Sequence, residues 1–327
     1  MEKTEKKVDS ELVRVESLKK YFPVGSGLWH AKKNVKAVDD VSFDIKESET
    51  LGLVGESGCG KSTLGRTILG LWPTTGGRIL FEGEDIAALR GVDLKSMRKK
   101  MQLIFQDPSA CLNPRKTVRA ILEAPFKIHR MGKEDERIEK ICGLLENVGL
   151  SKHYLSRYPH EMSGGQKQRV SIARAIALRP KLVICDEAVS ALDVSIQAQV
   201  INLLEDLQSE FSLTYLFISH NLSVVHHISD RVGVMYLGRL VELASKKDLF
   251  EDTLHPYSKA LISAIPEADP GKKRRGSALS GDVPSPADPP AGCAFHTRCP
   301  EAADICRIKT PALLEKKGSH LVACHLL

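Results

Sequence analysis

Short apolar runs alternate with amphipathic segments along most of the chain. The apolar runs predict strands, and the amphipathic segments predict helices. Thr50–Val54 is an apolar run followed by a glycine, as is typical of a buried strand, and residues 182–186 and 213–220 are similar runs. Apolar alternation within residues 11–22 and 35–54 predicts further β-rich segments near the N-terminus. These segments are the strand candidates.

The segments between the strands show the helical period. One helix is predicted from Lys61 to about Leu71, one from near Ser163 to Pro180, and one from Val194 to Phe211. Segment 136–150 also predicts a helix, because its apolar residues recur on one face. Those residues are Ile138, Ile141, Leu144, Leu145 and Val148.

The order of these elements predicts the fold class. Strands that alternate with helices indicate an α/β fold with a mainly parallel core sheet, and the β-rich N-terminal segments indicate an antiparallel β subdomain. The mostly helical stretch of about 108–180 is interpreted as an inserted helical subdomain. Prolines and glycines crowd residues 266–292, which predicts a linker or extended arm. We therefore predict a main domain over residues 1–265 and a linker with a small cysteine-containing region over residues 266–327.

Composition excludes several classes of protein. No apolar run approaches the roughly 20 residues that a membrane-spanning helix needs, and the N-terminal residues lack the apolar core of a secretory signal. We therefore expect a cytosolic protein, in which the eight cysteines do not form structural disulfides. The net charge of +6 is mild, and the only dense basic run, residues 272–275, lies in the expected linker, so no nucleic-acid binding is predicted.

A glycine-rich loop carries the clearest chemistry. Residues 55–63 fit the pattern G-x-x-x-x-G-K-[ST] between an expected strand and an expected helix. The glycines let main-chain N–H groups converge on phosphate oxygens, and the helix presents its positive end to the same anion. Lys61 adds charge near the β- and γ-phosphates, and the Ser62 hydroxyl can ligate Mg²⁺. Alone, the pattern predicts a P-loop NTPase and leaves kinases, GTPases, motors and recombinases open. The residues expected to bind the nucleotide, MgATP in an ATPase, are Gly55, Glu56, Ser57, Gly58, Cys59, Gly60, Lys61, Ser62 and Thr63.

Two acids follow the apolar run of residues 182–185. Asp186 is expected at the C-terminal edge of the sheet, where it can hold Mg²⁺ through water, and Glu187 can polarise the attacking water. Taken alone, the pair would be better interpreted as a strand that ends in two exposed acids. The phosphate loop in the same chain favours the catalytic interpretation.

Residues 162–166 (MSGGQ) lie about 20 residues before Asp186 and resemble the LSGGQ signature of ABC ATPases, with methionine in place of leucine. The resemblance implies a loop that opens a helix and faces the γ-phosphate bound to a second subunit. ATP then holds two cassettes together, and its hydrolysis separates them. The residues expected to act there in trans are Ser163, Gly164, Gly165 and Gln166.

The same resemblance assigns roles at other positions. Gln106, in the segment LIFQDP, is similar to the Q-loop glutamine, which contacts Mg²⁺ and the attacking water. Asp193 lies in a segment similar to the D-loop, and His220 is similar to the switch histidine that contacts the γ-phosphate. Either Tyr21 or Phe22 is expected to stack on adenine, and the spacing does not choose between them.

Longer segments resemble the dipeptide and oligopeptide importer branch of ABC proteins, over roughly residues 11–327. The segments that carry this resemblance are residues 105–115, 186–200, 255–261 and the cysteine tail. It implies a peripheral ATPase at the cytoplasmic face of the cell membrane that powers peptide import. Its implied partners are a second, identical or homologous ATPase subunit, transmembrane permease subunits and an external solute-binding protein.

Two alternatives stay open at this point. An importer for nickel or another small solute is one, because other subunits choose the cargo. A soluble ABC switch protein that acts on DNA or ribosomes is the other, although such proteins carry long coiled coils or two cassettes, which this sequence lacks. Segment 255–261 (HPYSKAL) is equally consistent with a plain helix start that has proline at its first position.

Four cysteines fall at the spacing C-x5-C-x6-C-x17-C near the C-terminus: Cys293, Cys299, Cys306 and Cys324. Four clustered thiols suggest a metal, and their spacing differs from the C-x2-C pairs common in structural zinc sites. Thiolates suit a [4Fe–4S] cluster, and the resemblance to peptide importers implies one on these residues, as a structural staple. Zinc and free thiols stay open. The possible substitute ligands, each expected on the surface, are His296, His320 and His325.

Overall fold

The computed structural model of the chain describes residues 10–24, 33–265 and 281–327. Contacts within it define two compact units. Among the described residues, the helical unit contains Ser10 and residues 46–49 and 89–217, and the phosphate-loop unit contains residues 11–24, 33–45, 50–88, 218–265 and 281–327. The basic run at residues 272–275 lies outside the described residues, as does most of the expected linker.

Strands and helices alternate along the chain, which confirms the predicted α/β class. In chain order the strands are β1 (Glu11–Val24), β2 (Lys33–Lys46), β3 (Thr50–Val54), β4 (Gly76–Phe81), β5 (Glu84–Asp85), β6 (Met101–Ile104), β7 (Leu182–Asp186), β8 (Thr214–Ile218), β9 (Arg231–Tyr236), β10 (Arg239–Ser245), β11 (Leu314–Lys317) and β12 (His320–Val322). The helices are α1 (Lys61–Ile68), α2 (Gly91–Lys100), α3 (Pro108–Cys111), α4 (Val118–Ile128), α5 (Glu134–Asn147), α6 (Gly164–Ile176), α7 (Val194–Phe211), α8 (Leu222–Ile228), α9 (Lys246–Glu251), α10 (Pro256–Ser263) and α11 (Asp304–Ile308).

A four-stranded sheet with the order β2-β1-β4-β5 lies in the phosphate-loop unit. Strands β1 and β4 are antiparallel, as are β4 and β5, so the predicted antiparallel β subdomain is confirmed. The pairing of β1 with β4 shifts between Glu16 and Lys19, and Ser17 there has φ 44°. This irregularity is a bulge, which bends the long strand.

Five strands of a second sheet lie in the same unit, in the order β11-β12-β10-β9-β3. Strand β3 is parallel to β9, from Leu51 opposite Arg231 to Val54 opposite Val234, and all of β3 is buried. Strand β12 is antiparallel to β10 and to β11. The C-terminal region therefore continues this sheet, which the sequence did not predict.

The helical unit combines a small set of strands with most of the long helices. Strands β6 and β7 are parallel, from Met101 opposite Leu182 to Ile104 opposite Cys185, and β8 is the next strand beside β7. Helix α5 buries Ile141 and two leucines, as its apolar face predicts. Within the part of the chain that is described, no helix is both long and apolar enough to cross a membrane.

Two helices end earlier than the sequence predicts. Helix α1 stops at Ile68, and Gly70 has φ 63°, so the chain leaves the helix before Leu71. Helix α6 stops at Ile176, and Arg179 has φ 50°. A residue in the left-handed region shortly after the last turn ends a helix, and Gly70 and Arg179 account for the two early ends.

Candidate functional site

The phosphate loop joins β3 to α1, as its motif predicts, and the backbone packs closely around two of its glycines. Gly55 has φ 150°, and a Cβ there would lie 2.2 Å from the carbonyl oxygen of Met235. Gly60 has φ 107°, and a Cβ there would lie 2.0 Å from the carbonyl oxygen of Ala37. Any side chain would therefore collide with the main chain, and glycine is required at both positions.

Lys61 lies at the first position of α1 and is 4% exposed. Its Nζ donates to the carbonyl oxygens of Gly55 at 2.7 Å and Glu56 at 3.0 Å, and it is 3.6 Å from the Sγ of Cys59. No side chain caps the start of α1. The lysine, the uncapped helix start and the loop together form an electropositive concave site suited to an anion.

Two other loop residues, Cys59 and Glu56, are held by the protein around them. Cys59 is buried, and burial raises the pKa of its thiol, so the group stays protonated and acts as packing. The main-chain N–H of Glu56 donates to the Tyr257 hydroxyl at 2.9 Å. The Glu56 carboxylate accepts two hydrogen bonds from Arg298, at 2.7 and 3.0 Å. Both partners belong to the same unit as the loop.

The two acids lie where the strand pattern places them. All five residues of β7 are buried, and Asp186 ends the strand at 2% exposure. Glu187 follows with φ 51°, a left-handed backbone that is unusual for a side-chain-bearing residue. Its Oε2 accepts a 2.8 Å hydrogen bond from the Nε2 of Gln106, which follows β6. Two residues that the sequence singled out separately are therefore in direct contact.

The signature segment forms the start of α6. Ser163 is the N-cap, its Oγ accepts from the N–H of Gln166 at 3.3 Å, and the Gln166 side chain accepts from the N–H of Ser163 at 3.0 Å. This reciprocal pair is a capping box. The Gln166 amide also donates to the Tyr154 hydroxyl at 2.8 Å. Ser163 and Gly164 are exposed, so the helix start is open to an external anion.

The expected D-loop aspartate also caps a helix. Asp193 precedes α7, and its Oδ1 accepts from the Ile196 N–H at 3.0 Å and from the Ser195 hydroxyl at 2.8 Å. Hydrogen bonding, first from Ile196 and then from Ser195, lowers the pKa of this carboxyl. Asp193 is exposed and remains ionised at neutral pH.

His220 directly follows Ser219, whose main chain is hydrogen-bonded to β3, the strand that precedes the phosphate loop. The N–H of Ser219 donates to the carbonyl oxygen of Leu53 at 3.2 Å, one residue before β3 ends. Asn221 caps α8 immediately afterwards. The main chain of His220 thus lies between the end of β8 and the start of α8, and the residue is exposed.

Tyr21 and Phe22 are adjacent on β1 and have different surroundings. The Tyr21 hydroxyl donates to Asp39, which also pairs with Arg239 at 2.6 Å. Burial first, and then the bond to Asp39, raises the pKa of Tyr21 to about 12. The Phe22 ring packs edge-to-face on Trp72 with 5.2 Å between centroids. The structure gives each ring a protein partner and leaves the choice of adenine residue a prediction.

The four C-terminal cysteines are free and lie close to one another. The N–H of Cys293 donates to the carbonyl oxygen of Cys306 at 2.8 Å. Burial raises the pKa of Cys293, Cys299 and Cys324, and repulsion among the thiolates adds to this rise. Nevertheless, within residues 10–24, 33–265 and 281–327 no group of three or more His, Cys, Asp or Glu side chains is arranged to hold a metal ion. The donors suit a soft metal, but their arrangement does not support the expected iron–sulfur site.

One expected surface histidine is buried, which corrects the sequence analysis. His320 is 1% exposed, and its Nε2 lies 2.7 Å from Oε1 of the buried Glu242. The same glutamate accepts from the main-chain N–H groups of Leu254 at 2.8 Å and His255 at 3.2 Å. His320 therefore secures β12 to β10 and is engaged in the core. His296 and His325 are only partly exposed.

Comparisons with known proteins agree with these features. A family model described as "ABC transporter" matches residues 38–190, and one described as "Oligopeptide/dipeptide transporter, C-terminal region" matches residues 241–306. The oligopeptide transport ATP-binding protein AppF of Bacillus subtilis (strain 168) is 58% identical over 96% of this chain and 97% of its own length. The probable peptide ABC transporter ATP-binding protein y4tS of Sinorhizobium fredii (strain NBRC 101917 / NGR234) is 52% identical over 96% of this chain and 90% of its own length.

Solved structures share the fold. The dimeric, post-hydrolysis structure of the ATP-binding cassette MJ0796, bound to ADP and Pi, matches with a TM-score of 0.64 and 26% identity, over 72% of this chain and 99% of that chain. CbiO1 from Clostridium perfringens, part of the ABC transporter complex cbiONQ, matches with a TM-score of 0.64 and 27% identity, over 74% of this chain and 91% of that chain.

The loop, the signature helix and the paired Gln106 and Glu187 define an ATP-binding cassette ATPase of the P-loop class. The chain belongs to the ABC transporter family, in its branch of oligopeptide and peptide ATP-binding proteins. Sequence reasoning missed two residues that contact the loop, Tyr257 and Arg298. The sequence assigns no mechanism to segment 255–261, and no local pattern marks Arg298.

Proposed function

We propose that this chain hydrolyses ATP to power the import of di- and oligopeptides through an ABC transporter. The observation that carries the proposal is the buried ammonium of Lys61 beside the uncapped start of α1, which is a preformed phosphate site. The names of relatives such as AppF support peptides as the cargo.

The chemistry proposed is attack of water on the γ-phosphate, in which positioning and charge neutralisation dominate. Glu187 acts as the base that polarises the water, and the bond from Gln106 orients its carboxylate. Ser62 and Gln106 would hold Mg²⁺, with Asp186 acting through water, and the ion would supply charge neutralisation at the phosphates. His220 contacts the γ-phosphate. Tyr21 or Phe22 stacks on adenine.

The working form proposed is a pair of cassettes, identical or homologous. The exposed start of α6 supports this, because its capped but accessible first turn offers main-chain donors to an anion outside the chain. Ser163 to Gln166 then contact the γ-phosphate held by the partner, and Asp193 lies at the junction. MJ0796, whose solved structure is dimeric, supports the same arrangement.

The remaining partners follow from the same proposal. Transmembrane permease subunits bind the cassette at the cytoplasmic face of the cell membrane, and an external solute-binding protein delivers the peptide. Domains are proposed at residues 1–265 for the nucleotide-binding part, with a helical subdomain over about 108–180, and at 266–327 for the C-terminal region.

Cys293, Cys299, Cys306 and Cys324 are proposed to hold a [4Fe–4S] cluster that cross-links their segments. The chemistry of four free thiols supports this donor set, although their arrangement among the described residues does not form a metal site. Protein purified without oxygen should contain iron and labile sulfide, both of which should be lost when the four cysteines are replaced by serine. Zinc without sulfide would indicate the alternative metal, and neither metal would indicate free thiols.

The function is tested with the purified chain and with the reconstituted transporter. The chain should release phosphate from MgATP, and the complete transporter should accumulate labelled dipeptides in an ATP-dependent manner. Uptake of labelled nickel without peptide uptake would contradict the cargo. Failure to bind or hydrolyse ATP in both preparations would contradict the proposal as a whole.

A further inference from the structure

Glu56 is the second residue of the phosphate loop, and its main chain is held on both sides. Its N–H donates to the Tyr257 hydroxyl at 2.9 Å, and its carbonyl oxygen accepts from Lys61 Nζ at 3.0 Å. A phosphate loop binds its ligand through main-chain N–H groups and its lysine. The orientation of the peptide groups around Glu56 therefore bears directly on the shape of the anion site.

The side chain of Glu56 is held by a residue far along the sequence. Arg298 Nη1 donates to Oε2 at 2.7 Å and Nη2 donates to Oε1 at 3.0 Å, which is a two-pronged pair. The arginine side chain is 4% exposed and that of Glu56 is 24% exposed. Solvent therefore screens this pair weakly, and the guanidinium neutralises a carboxylate that would otherwise repel phosphate.

Aromatic packing fixes both partners of Glu56 in place. Phe295, three residues before Arg298, lies 5.3 Å from the rings of both Tyr236 and Tyr257. These two tyrosines lie 4.7 Å apart, and the guanidinium is 5.9 Å from the Tyr236 ring. All three rings are almost fully buried. The arrangement is rigid, because each ring has two aromatic neighbours in the cluster.

Helix α10 explains how Tyr257 reaches this position. His255 is the N-cap, its Nδ1 accepts from the Tyr257 N–H at 3.0 Å, and Pro256 occupies the first position. Cap and proline together set the direction in which the helix starts. The Tyr257 side chain thus points its hydroxyl at the loop, which gives the segment 255–261 a physical role.

We propose that Arg298 and Tyr257 are positioning residues that clamp the phosphate loop through Glu56, so that nucleotide affinity depends on the C-terminal region. The proposal rests on the proposed function, since it takes the loop as the phosphate site. Arg298 acts by charge and by its two hydrogen bonds, and Tyr257 acts by one hydrogen bond to the main chain. By reciprocity, bound nucleotide stabilises the C-terminal segment.

The test measures the Kd for MgADP and MgATP by fluorescence titration of the full chain, with kcat and KM measured alongside. Arg298→Met keeps the stem but removes the charge and both bonds. It should weaken binding about 2- to 30-fold, the range for coupled residues that touch neither ligand, and change kcat at saturating ATP less. Arg298→Lys should lose less affinity, because an ammonium retains the charge but not the fork.

A matched control distinguishes the weaker nucleotide binding of Arg298→Met from the general effect of losing an arginine–carboxylate ion pair. Arg231 forms a comparable ion pair with Asp44 at 3.1 Å in the same unit, and Arg231→Met should leave both Kd values unchanged. Tyr257→Phe removes one hydroxyl from an otherwise unchanged aromatic cluster. It keeps the proposal testable should Arg298→Met fail to fold.

A double-mutant cycle tests whether Arg298 acts through Glu56. In the Glu56→Gln background the repelling charge is absent, so Arg298→Met should cost less affinity than it does alone. Unchanged Kd values in Arg298→Met and Tyr257→Phe, or penalties that simply add in the cycle, would overturn the clamp while the wild type still binds nucleotide. A wild-type chain that binds no nucleotide would contradict the proposed function instead.

Discussion

Gln106 donates a hydrogen bond to Glu187, with 2.8 Å between Nε2 and Oε2, although 81 positions separate the two residues. The bond fixes one carboxylate oxygen of Glu187. The left-handed backbone of Glu187, with φ 51°, further restricts the direction of the side chain. This restraint supports the proposed role of Glu187 as the base that polarises water.

Glu187→Gln should bind ATP as tightly as the wild type and hydrolyse it at least about 100-fold more slowly, because a positioned general base contributes about 10²–10⁴. The amide retains the size of the carboxylate but cannot accept the proton. ATP should then trap a closed pair of cassettes. Phosphate release and size-exclusion chromatography with ATP are the measurements.

The control for this variant is Glu146→Gln, which alters an exposed glutamate paired with Lys152 at 3.2 Å. It should hydrolyse ATP at the wild-type rate. Normal turnover in Glu187→Gln would show that another group activates the water.

Lys61→Ala should abolish the thermal stabilisation that nucleotide confers. A ligand at 100 times its Kd stabilises a protein by about 2.7 kcal/mol, and this term vanishes when the site no longer binds. The ammonium also bonds two loop carbonyls, so the variant's melting temperature without nucleotide should fall as well. Differential scanning fluorimetry with and without MgADP measures both, and an unchanged nucleotide shift would contradict the assignment of the loop.

Gly164→Asp should fold normally and lose hydrolysis. A Cβ at Gly164 would have its nearest neighbour at 3.7 Å, an ordinary contact with Leu192, and an acid in the first turn suits the helix dipole. The same acid repels a γ-phosphate presented by a partner cassette. Gly164→Asp should therefore keep the wild-type melting temperature but release no phosphate from ATP. The control is Gly143→Asp in α5, where a Cβ would have no neighbour within 4 Å, and this variant should keep its activity.

Mixing Lys61→Ala with Gly164→Asp tests the action in trans. A mixed pair assembles one site with an intact phosphate loop and an intact signature, so activity should return on mixing if two copies of this chain pair. If mixed pairs form but ATPase activity does not return, the phosphate loop and the signature segment of one chain would act at the same site.

His255 should make stability depend on pH below neutrality. Burial is the main cause that lowers the pKa of His255 to about 4, and the charge of Lys259 adds to it. Because the folded pKa lies below the unfolded value of about 6.5, the unfolded chain binds more protons between these values. The free energy of unfolding should fall as pH drops from about 6.5 to about 4, by about 3 kcal/mol in all.

His255→Asn retains an N-cap acceptor for α10 but cannot titrate. Its denaturant melts should show a smaller loss of stability over that pH window than the wild type shows. At pH 8 both side chains are neutral, so the remaining difference there reports packing alone. Equal pH slopes in both proteins would show that another group carries the dependence.

Much of the site was predictable because its chemistry requires particular residues at fixed local spacing. Gly55, Lys61 and Asp186 each lie at a strand end or helix start that the apolar pattern marks. The burial of His320 was not predictable, because its partner Glu242 is 78 positions away and becomes its neighbour only when β12 pairs with β10. A lone histidine in a polar tail shows no such partner.

The sequence by itself determined the ABC class, the phosphate loop and the two acids at the end of β7, since main-chain anion binding and strand burial are local properties. Only the tertiary structure decided which distant groups meet. Gln106 reaches Glu187, and Arg298 reaches Glu56 across 242 positions. Such contacts depend on sheet register and on packing among buried rings, and no local period of the chain encodes either.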